Sequence, residues 1–122
     1  MKYLFPLLFL FISCEEERLY TKSQIFHMAK RVDPTMELIM PSSIDEGIKC
    51  SDYGPGCVGG VSAMVLKMPM IAVEFQTEEL AKREAMRIGQ FYKYNWVFDD
   101  VKGEPPLERF VKEAYDAIAP KP

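Results

Sequence analysis

The first thirteen residues of the chain differ so strongly from the remainder that they limit what the fold can be built from. Lys2 is followed by an almost unbroken apolar run to residue 12, and residues 15–18 then bring an abrupt change to charge. One basic residue, about ten apolar residues and a small residue before the charge are typical of an export signal, which is removed from the mature protein. A membrane-spanning helix would need about 20 apolar residues, and Pro6 disfavours a buried helix. We therefore expect the fold to be built from residues after this leader.

The segment Phe11-Ile12-Ser13-Cys14 resembles the lipobox of bacterial lipoproteins, in which a signal peptidase cuts before the cysteine and that cysteine carries lipid. Phe11 stands where leucine is usual. The resemblance implies that residues 1–13 are a lipoprotein signal peptide and that Cys14 is the lipidated N-terminus of the mature protein.

The same resemblance implies an organisation and a location. Residues 14–20 would be a lipidated tether, and residues 21–122 a single domain held at a membrane of the bacterial cell envelope. Glu15 follows Cys14 directly. By analogy with enteric lipoproteins, glutamate at this position favours the outer membrane, with the domain facing the periplasm.

The charge of the chain limits its partners. The sequence has 15 basic and 18 acidic residues, a net charge of −3 that becomes −4 when Lys2 is removed with the leader. It contains no tract of Lys or Arg that could neutralise a run of phosphates, so nucleic acid is not an expected partner. Membrane attachment would come from the lipid rather than from a basic surface.

The chain has three cysteines. If Cys14 carries lipid, Cys50 and Cys57 can pair with none left over, and the Gly- and Pro-rich segment between them folds back readily. A disulfide across this eight-residue loop would stabilise the domain by about 2.5 kcal/mol. A redox pair is the alternative, but thioredoxin-like chemistry uses Cys-x-x-Cys at the start of a helix, and here six residues separate the thiols.

The pattern of apolar residues predicts an α+β fold. A capping box at Thr21 and Gln24 begins the first helix, which Asp33 and Pro34 end. Two further helices are predicted, one from Thr77 to Tyr92 and one after residues 105–106. Strands are expected at residues 36–40, 61–68, 70–75 and 94–99, with a bend or an edge position at residue 69. We expect three helices on one face of a mainly antiparallel, four-stranded sheet, similar to a ferredoxin-like sandwich with its ends rearranged. That architecture hosts many activities and does not identify one.

The residues give little indication of catalysis, and we expect neither a catalytic set nor a cofactor. His27 is the one histidine, and the chain has no Gly-x-Ser-x-Gly turn for a nucleophile. The usual zinc sites need several Cys and His residues at short spacing. We therefore expect a protein that is not an enzyme and has no resident metal.

Two kinds of metal site are alternatives to this expectation. Thioethers are soft ligands that favour Cu(I), and along one strand Met64, Met68 and Met70 would point the same way. Core packing is the more common use of methionine. Asp99, Asp100 and Glu104 could offer oxygen ligands to Ca²⁺, but they lack the spacing and central glycine of an EF-hand.

The function that the sequence favours is binding. The loop clasped between the two cysteines would display Tyr53 at its tip, with Asp52 and Pro55 beside it, as a preorganised contact surface for a protein or envelope component. In the alternative arrangement Tyr53 packs back onto the sheet. The core that supports the loop is expected to contain five apolar residues: Ile71, Phe75, Ile88, Phe110 and Val111.

Overall fold

A computed structural model describes residues 18–39 and 48–120, so the predicted signal peptide and Cys14 lie outside the described residues. The elements in chain order are α1 Lys22–Val32, β1 Glu37–Ile39, a 3₁₀ turn Cys50–Asp52, β2 Cys57–Val65, β3 Met68–Phe75, α2 Glu78–Ile88, β4 Phe91–Lys93, β5 Trp96–Asp99 and α3 Pro105–Tyr115. The strands form one sheet in the order β1-β2-β3-β5-β4, with every neighbouring pair antiparallel. The predicted α+β class and antiparallel sheet are confirmed.

The described sheet has five strands where four were predicted. The additional strand is β4, whose Tyr92 was expected on the second helix. Helix α2 ends earlier because Gly89 takes a left-handed conformation at its C-cap, with φ 68°. The chain then forms a hairpin, β4 and β5, around Tyr94, which also has a positive φ of 48°. The predicted strand at residues 94–99 is therefore the turn and second half of a hairpin.

The prediction that all three helices lie on one face is wrong. Helices α1 and α3 pack on one face of the sheet and α2 packs on the other. The reason lies in β3 and β5, which are apolar at successive positions: Val73 and Val97 face α2, while Ala72 and Phe98 face α1 and α3. A strand with apolar residues on both sides requires cover on both faces of the sheet. The arrangement differs in this respect from the expected ferredoxin-like sandwich.

Large aromatic residues fill the α1/α3 face. Trp96 and Phe98 of β5 are fully buried there. The ring of Phe98 stacks on Tyr115 with centroids 4.5 Å apart, and Phe110 meets the same tyrosine edge-on at 5.9 Å. Phe110 and Tyr115 belong to α3, so these contacts fix α3 to the centre of the sheet.

The ends of α1 agree with the sequence analysis. The Thr21 hydroxyl accepts a hydrogen bond from the Gln24 amide, and the Gln24 side chain accepts one from the Thr21 amide, which completes the predicted capping box. Asp33 caps the other end, and its buried carboxylate accepts hydrogen bonds from Thr35 and from the Leu66 amide. The hydrogen bond from the Thr35 hydroxyl contributes most to lowering the pKa of Asp33. Asp33 thus fastens α1 to the turn between β2 and β3.

That turn consists of Leu66 and Lys67, both with positive φ, as expected of a two-residue hairpin loop. Pro69 lies in β3 opposite Met64, and β5 pairs with β3 only from Ile71 onward. Proline has no backbone N–H, and at position 69 none is needed, because β5 does not pair with that part of β3. Within the described ranges, no helix has the length and apolar character required to cross a bilayer.

Candidate functional site

The predicted disulfide between Cys50 and Cys57 is present, with the two Cα atoms 5.4 Å apart. Its loop lies on the α2 face, where Ile48, Tyr53 and Cys57 pack against the smaller apolar cluster. The Gln76 amide donates a hydrogen bond to the Gly56 carbonyl at 2.8 Å. The loop is therefore fastened to the sheet as well as closed on itself.

Tyr53 occupies the alternative position considered in the sequence analysis. Its ring packs against the α2-face cluster, and its hydroxyl donates a hydrogen bond of 2.8 Å to Asp99 Oδ2. Burial, followed by the hydrogen bond to Asp99, raises the pKa of the phenol above its usual value. Of the three residues predicted to contact a partner, Asp52 and Pro55 are exposed, and Tyr53 is only partly accessible.

Glu84 is a buried carboxylate that the sequence analysis did not identify. One of its oxygens accepts a 2.8 Å hydrogen bond from the Gly54 amide, and both oxygens contact Arg87 at 2.6 Å. The hydrogen bonds from Arg87 contribute most to lowering the pKa of Glu84. Residue 84 lies on the inner stripe of α2 with Ala81 and Ala85. An acidic residue on the inner stripe of a predicted helix is the sequence signal that could have identified this buried carboxylate.

The segment before α1 is also held by a buried polar side chain. The Asn95 amide group accepts a 2.7 Å hydrogen bond from the Tyr20 amide and donates to the carbonyls of Tyr20 and Phe75. Trp96 Nε1 donates to the same Tyr20 carbonyl at 2.8 Å. Arg18 makes an ion pair with Glu78. Residues 18–20, assigned above to the tether, are thus in contact with the folded domain.

A small apolar cavity opens between α1 and the edge of the sheet, and we call it the α1–β1 groove. Its accessible volume is about 110 Å³. Its lining includes Phe26 of α1, Leu38 of β1 and Val61 of β2, with the small residues Ala63 and Ala72 behind them and Lys22 at one side. No short stretch of the sequence indicates this groove, because its residues come from five separate elements.

The structure does not bring the three candidate Cu(I) ligands together. Met68 and Met70 face the α1/α3 core, where Met70 is buried. Met64 pairs with Pro69, and paired residues share a face, so its side chain lies on the opposite side from Met70, which pairs with Ala63. The turn at residues 66–67 separates Met64 from the other two, so the three side chains do not point the same way, as this alternative required.

The remaining candidate groups are His27 and the acidic residues at positions 99, 100 and 104. His27 is exposed on α1 beside Phe26. Asp99 accepts hydrogen bonds from Tyr53 and from the Asp100 amide. In residues 18–39 and 48–120, no three His, Cys, Asp or Glu side chains lie close enough together to hold a metal ion.

Comparison of the chain with protein-family models, with curated proteins and with solved structures yields no match.

Proposed function

We propose that this chain is a lipid-anchored, non-enzymatic binding domain of a bacterial cell envelope, attached through Cys14 and acting from the outer membrane on the periplasmic side. The observation that supports it best is the contact made by residues 18–20. Asn95 and Trp96 hold Tyr20 by its backbone, while the Arg18 side chain remains 64% exposed. The chain therefore leaves the domain at a defined and accessible point.

This contact shortens the tether. Cys14 precedes Arg18 by four residues, which span at most about 14 Å when extended. The end of the sheet that carries the β4–β5 turn would accordingly face the bilayer at close range. A domain held in this way can only meet partners that come to the membrane surface.

The alternative of a redox protein has less support. Besides the disulfide, the loop is held by Tyr53 on Asp99, by Gly54 on Glu84 and by Gly56 on Gln76. Exchange of the disulfide would have to open a segment that is fastened at three further points. These contacts favour a structural role for Cys50 and Cys57.

The proposal is tested by the mass of the mature N-terminus and by replacing Cys14. We expect a lipidated Cys14 as the first residue, and we expect Cys14→Ser to leave the protein unprocessed or to release it from the membrane fraction. The matched control is the double variant Cys50→Ala/Cys57→Ala, which removes cysteines elsewhere and should remain membrane-bound. A mature N-terminus after residue 14, or a free Cys14 thiol in membrane-bound protein, would contradict the proposal.

A further inference from the structure

Strand β1 is an edge of the sheet as far as the chain is described, and all three of its residues are exposed. An edge strand offers backbone N–H and C=O groups to an added strand, and proteins often block this with charges, prolines or bulges. Glu37 is the single charge in β1, and it pairs with Met64, on the side away from α1. Leu38 and Ile39 are 42% and 41% exposed. Among residues 18–39 and 48–120, no strand pairs with the outer side of β1, so backbone pairing there is available to a partner.

The α1–β1 groove lies on the side of β1 to which Leu38 points. Its 110 Å³ can be compared with an apolar cavity of about 150 Å³ that holds benzene, with six carbons. By this comparison the groove accommodates about four carbons, the size of one leucine or isoleucine side chain. A long acyl chain would leave most of its length outside. The size of the cavity therefore favours a peptide side chain over a lipid.

The helix side of the groove is basic. Lys22, Phe26 and Lys30 follow one another at four-residue spacing, so they lie along one side of α1. The Lys30 ammonium lies 5.6 Å from the centre of the Phe26 ring and donates one hydrogen bond to the Pro34 carbonyl, which leaves two of its protons for other acceptors. Residues 22–32 contain no Asp or Glu. A partner that carries carboxylates would complement this row.

The spacing of the two cations fits an extended chain. Lys22 and Lys30 are eight residues apart in a helix, or about 12 Å. In an extended strand, the residues two before and two after a given position lie on its own side and about 13 Å apart. If the added strand runs along α1 with one aliphatic side chain in the groove, acidic side chains at those two positions match the spacing of the two lysines.

We propose that the α1–β1 groove binds an extended acidic peptide segment that pairs with β1, inserts one aliphatic side chain into the cavity and sets carboxylates against Lys22 and Lys30. This rests on the proposed function only in assuming a binding domain, and it does not require lipidation. We favour the groove over the disulfide loop as the binding surface because Tyr53 of the loop is hydrogen-bonded to Asp99. The groove, in contrast, is apolar and open, and in the described structure an unpaired strand edge lines it.

The first test uses the mature full-length protein in lipid nanodiscs and a fluorescently labelled seven-residue peptide. The peptide has a central leucine, glutamates two positions before and after it, and threonine elsewhere. We expect saturable binding by fluorescence anisotropy, with none to empty nanodiscs, and amide shift changes at residues 37–39. Replacing the peptide leucine by alanine should weaken binding about thirtyfold, and replacing both glutamates by lysine should abolish it.

The second test uses charge reversal on the protein. Lys22→Glu should weaken binding about tenfold, and it should leave the melting temperature unchanged or slightly higher, because an acidic residue in the first turn of a helix is favourable. The matched control is Lys82→Glu, an exposed lysine on α2, which should bind the peptide as the native protein does.

Several results would overturn the proposal: no binding of the peptide, equal binding by the Lys22→Glu and native proteins, or amide shift changes confined to the disulfide loop. Binding of octanoate in the cavity without binding of the peptide would identify an acyl-chain site instead. The N-terminal mass of the same preparation reports lipidation separately. A failure of the anchor and a failure of the groove can therefore be told apart.

Discussion

The two faces of the sheet are stabilised in different ways. The α1/α3 face buries Trp96 and the stacked rings of Phe98 and Tyr115 in the larger apolar cluster. The α2 face has the smaller cluster of buried residues, in which Phe75 packs with Ala81 and Ala85. It compensates with cross-links: a disulfide, the hydrogen bond from Tyr53 to Asp99, and the contacts of Glu84.

This difference shows that one small domain can depend on two kinds of chemistry at once. Burial of aromatic side chains responds to changes in volume and is insensitive to pH and reductant. Disulfides respond to the redox state of the compartment, and buried carboxylates respond to pH. The α1/α3 face should therefore be the more sensitive to truncation of its side chains, and the α2 face the more sensitive to reductant. Each face also has one buried carboxylate with a lowered pKa, Asp33 or Glu84, whose stabilisation decreases in acid.

The largest effect is expected from Phe98→Ala on the α1/α3 face. Phe98 is fully buried and stacked on Tyr115, so its removal should lower the free energy of unfolding by about 3–5 kcal/mol. Denaturation by guanidinium, followed by the fluorescence of Trp96, measures this. Met86→Ala on α2 is the control, because Met86 is 43% exposed and should lose less than about 1 kcal/mol. Equal losses in the two variants would contradict the assignment of the main core to the α1/α3 face.

An intermediate effect is expected from the disulfide. The variant Cys50→Ala/Cys57→Ala should lose about 2.5 kcal/mol of unfolding free energy, mainly because its unfolded chain is less restricted. Reductant should bring the native protein close to the variant and leave the variant unchanged. Hydrogen exchange should increase most in residues 50–57 and in α2. If exchange increased equally in α1 and α3, the two faces would not differ as described.

The smallest effect, and the one that depends on pH, is expected from Glu84→Gln. This substitution removes the ion pair with Arg87, but Arg87 is 58% exposed and its guanidinium group can be hydrated by water instead. We therefore expect the free energy of unfolding to fall by only about 1–2 kcal/mol at pH 7. The folded-state pKa of Glu84 lies below its usual value of 4.5. Its stabilisation is therefore complete above about pH 4.5 and decreases as the pH falls through the lowered value.

The difference between Glu84→Gln and the native protein should accordingly shrink in acid, which urea denaturation between pH 3 and 7 would measure. Glu79→Gln provides the control, since Glu79 and Arg83 form an exposed ion pair worth less than about 1 kcal/mol. A loss for Glu84→Gln that stays constant down to pH 3 would show that its charge does not matter.

Local chemistry accounts for the parts of the fold that the sequence could predict. The Thr21 cap and the stop at Asp33 involve residues within a few positions of one another, so their signals are contained in short segments. The disulfide follows from the count of cysteines. The end of α2 was missed because apolar residues continue past Gly89 into β4, and periodicity alone could not separate the two elements.

Long-range choices account for the remainder. Whether Tyr53 faces solvent depends on Asp99, which is 46 residues away and shares no local pattern with it. The hydrogen bonds that hold the backbone of Tyr20, which we call the Tyr20 clamp, depend in the same way on Asn95, 75 residues away. The candidate contact residues Asp52 and Pro55 are exposed, and their contact with a partner stays a prediction. The α1–β1 groove arises only when α1 is placed on one face of the sheet.

The clamp around Tyr20 has a mechanical consequence. If Cys14 carries a lipid anchor as proposed, a pull on it would load the hydrogen bonds of Asn95 and Trp96 to Tyr20 before it reaches α1 or the strand ladders. If these bonds yield first, residues 18–20 are released and the reach of the anchor grows by about 10 Å. The clamp would then act as a load-limiting link that gives way while the sheet stays intact.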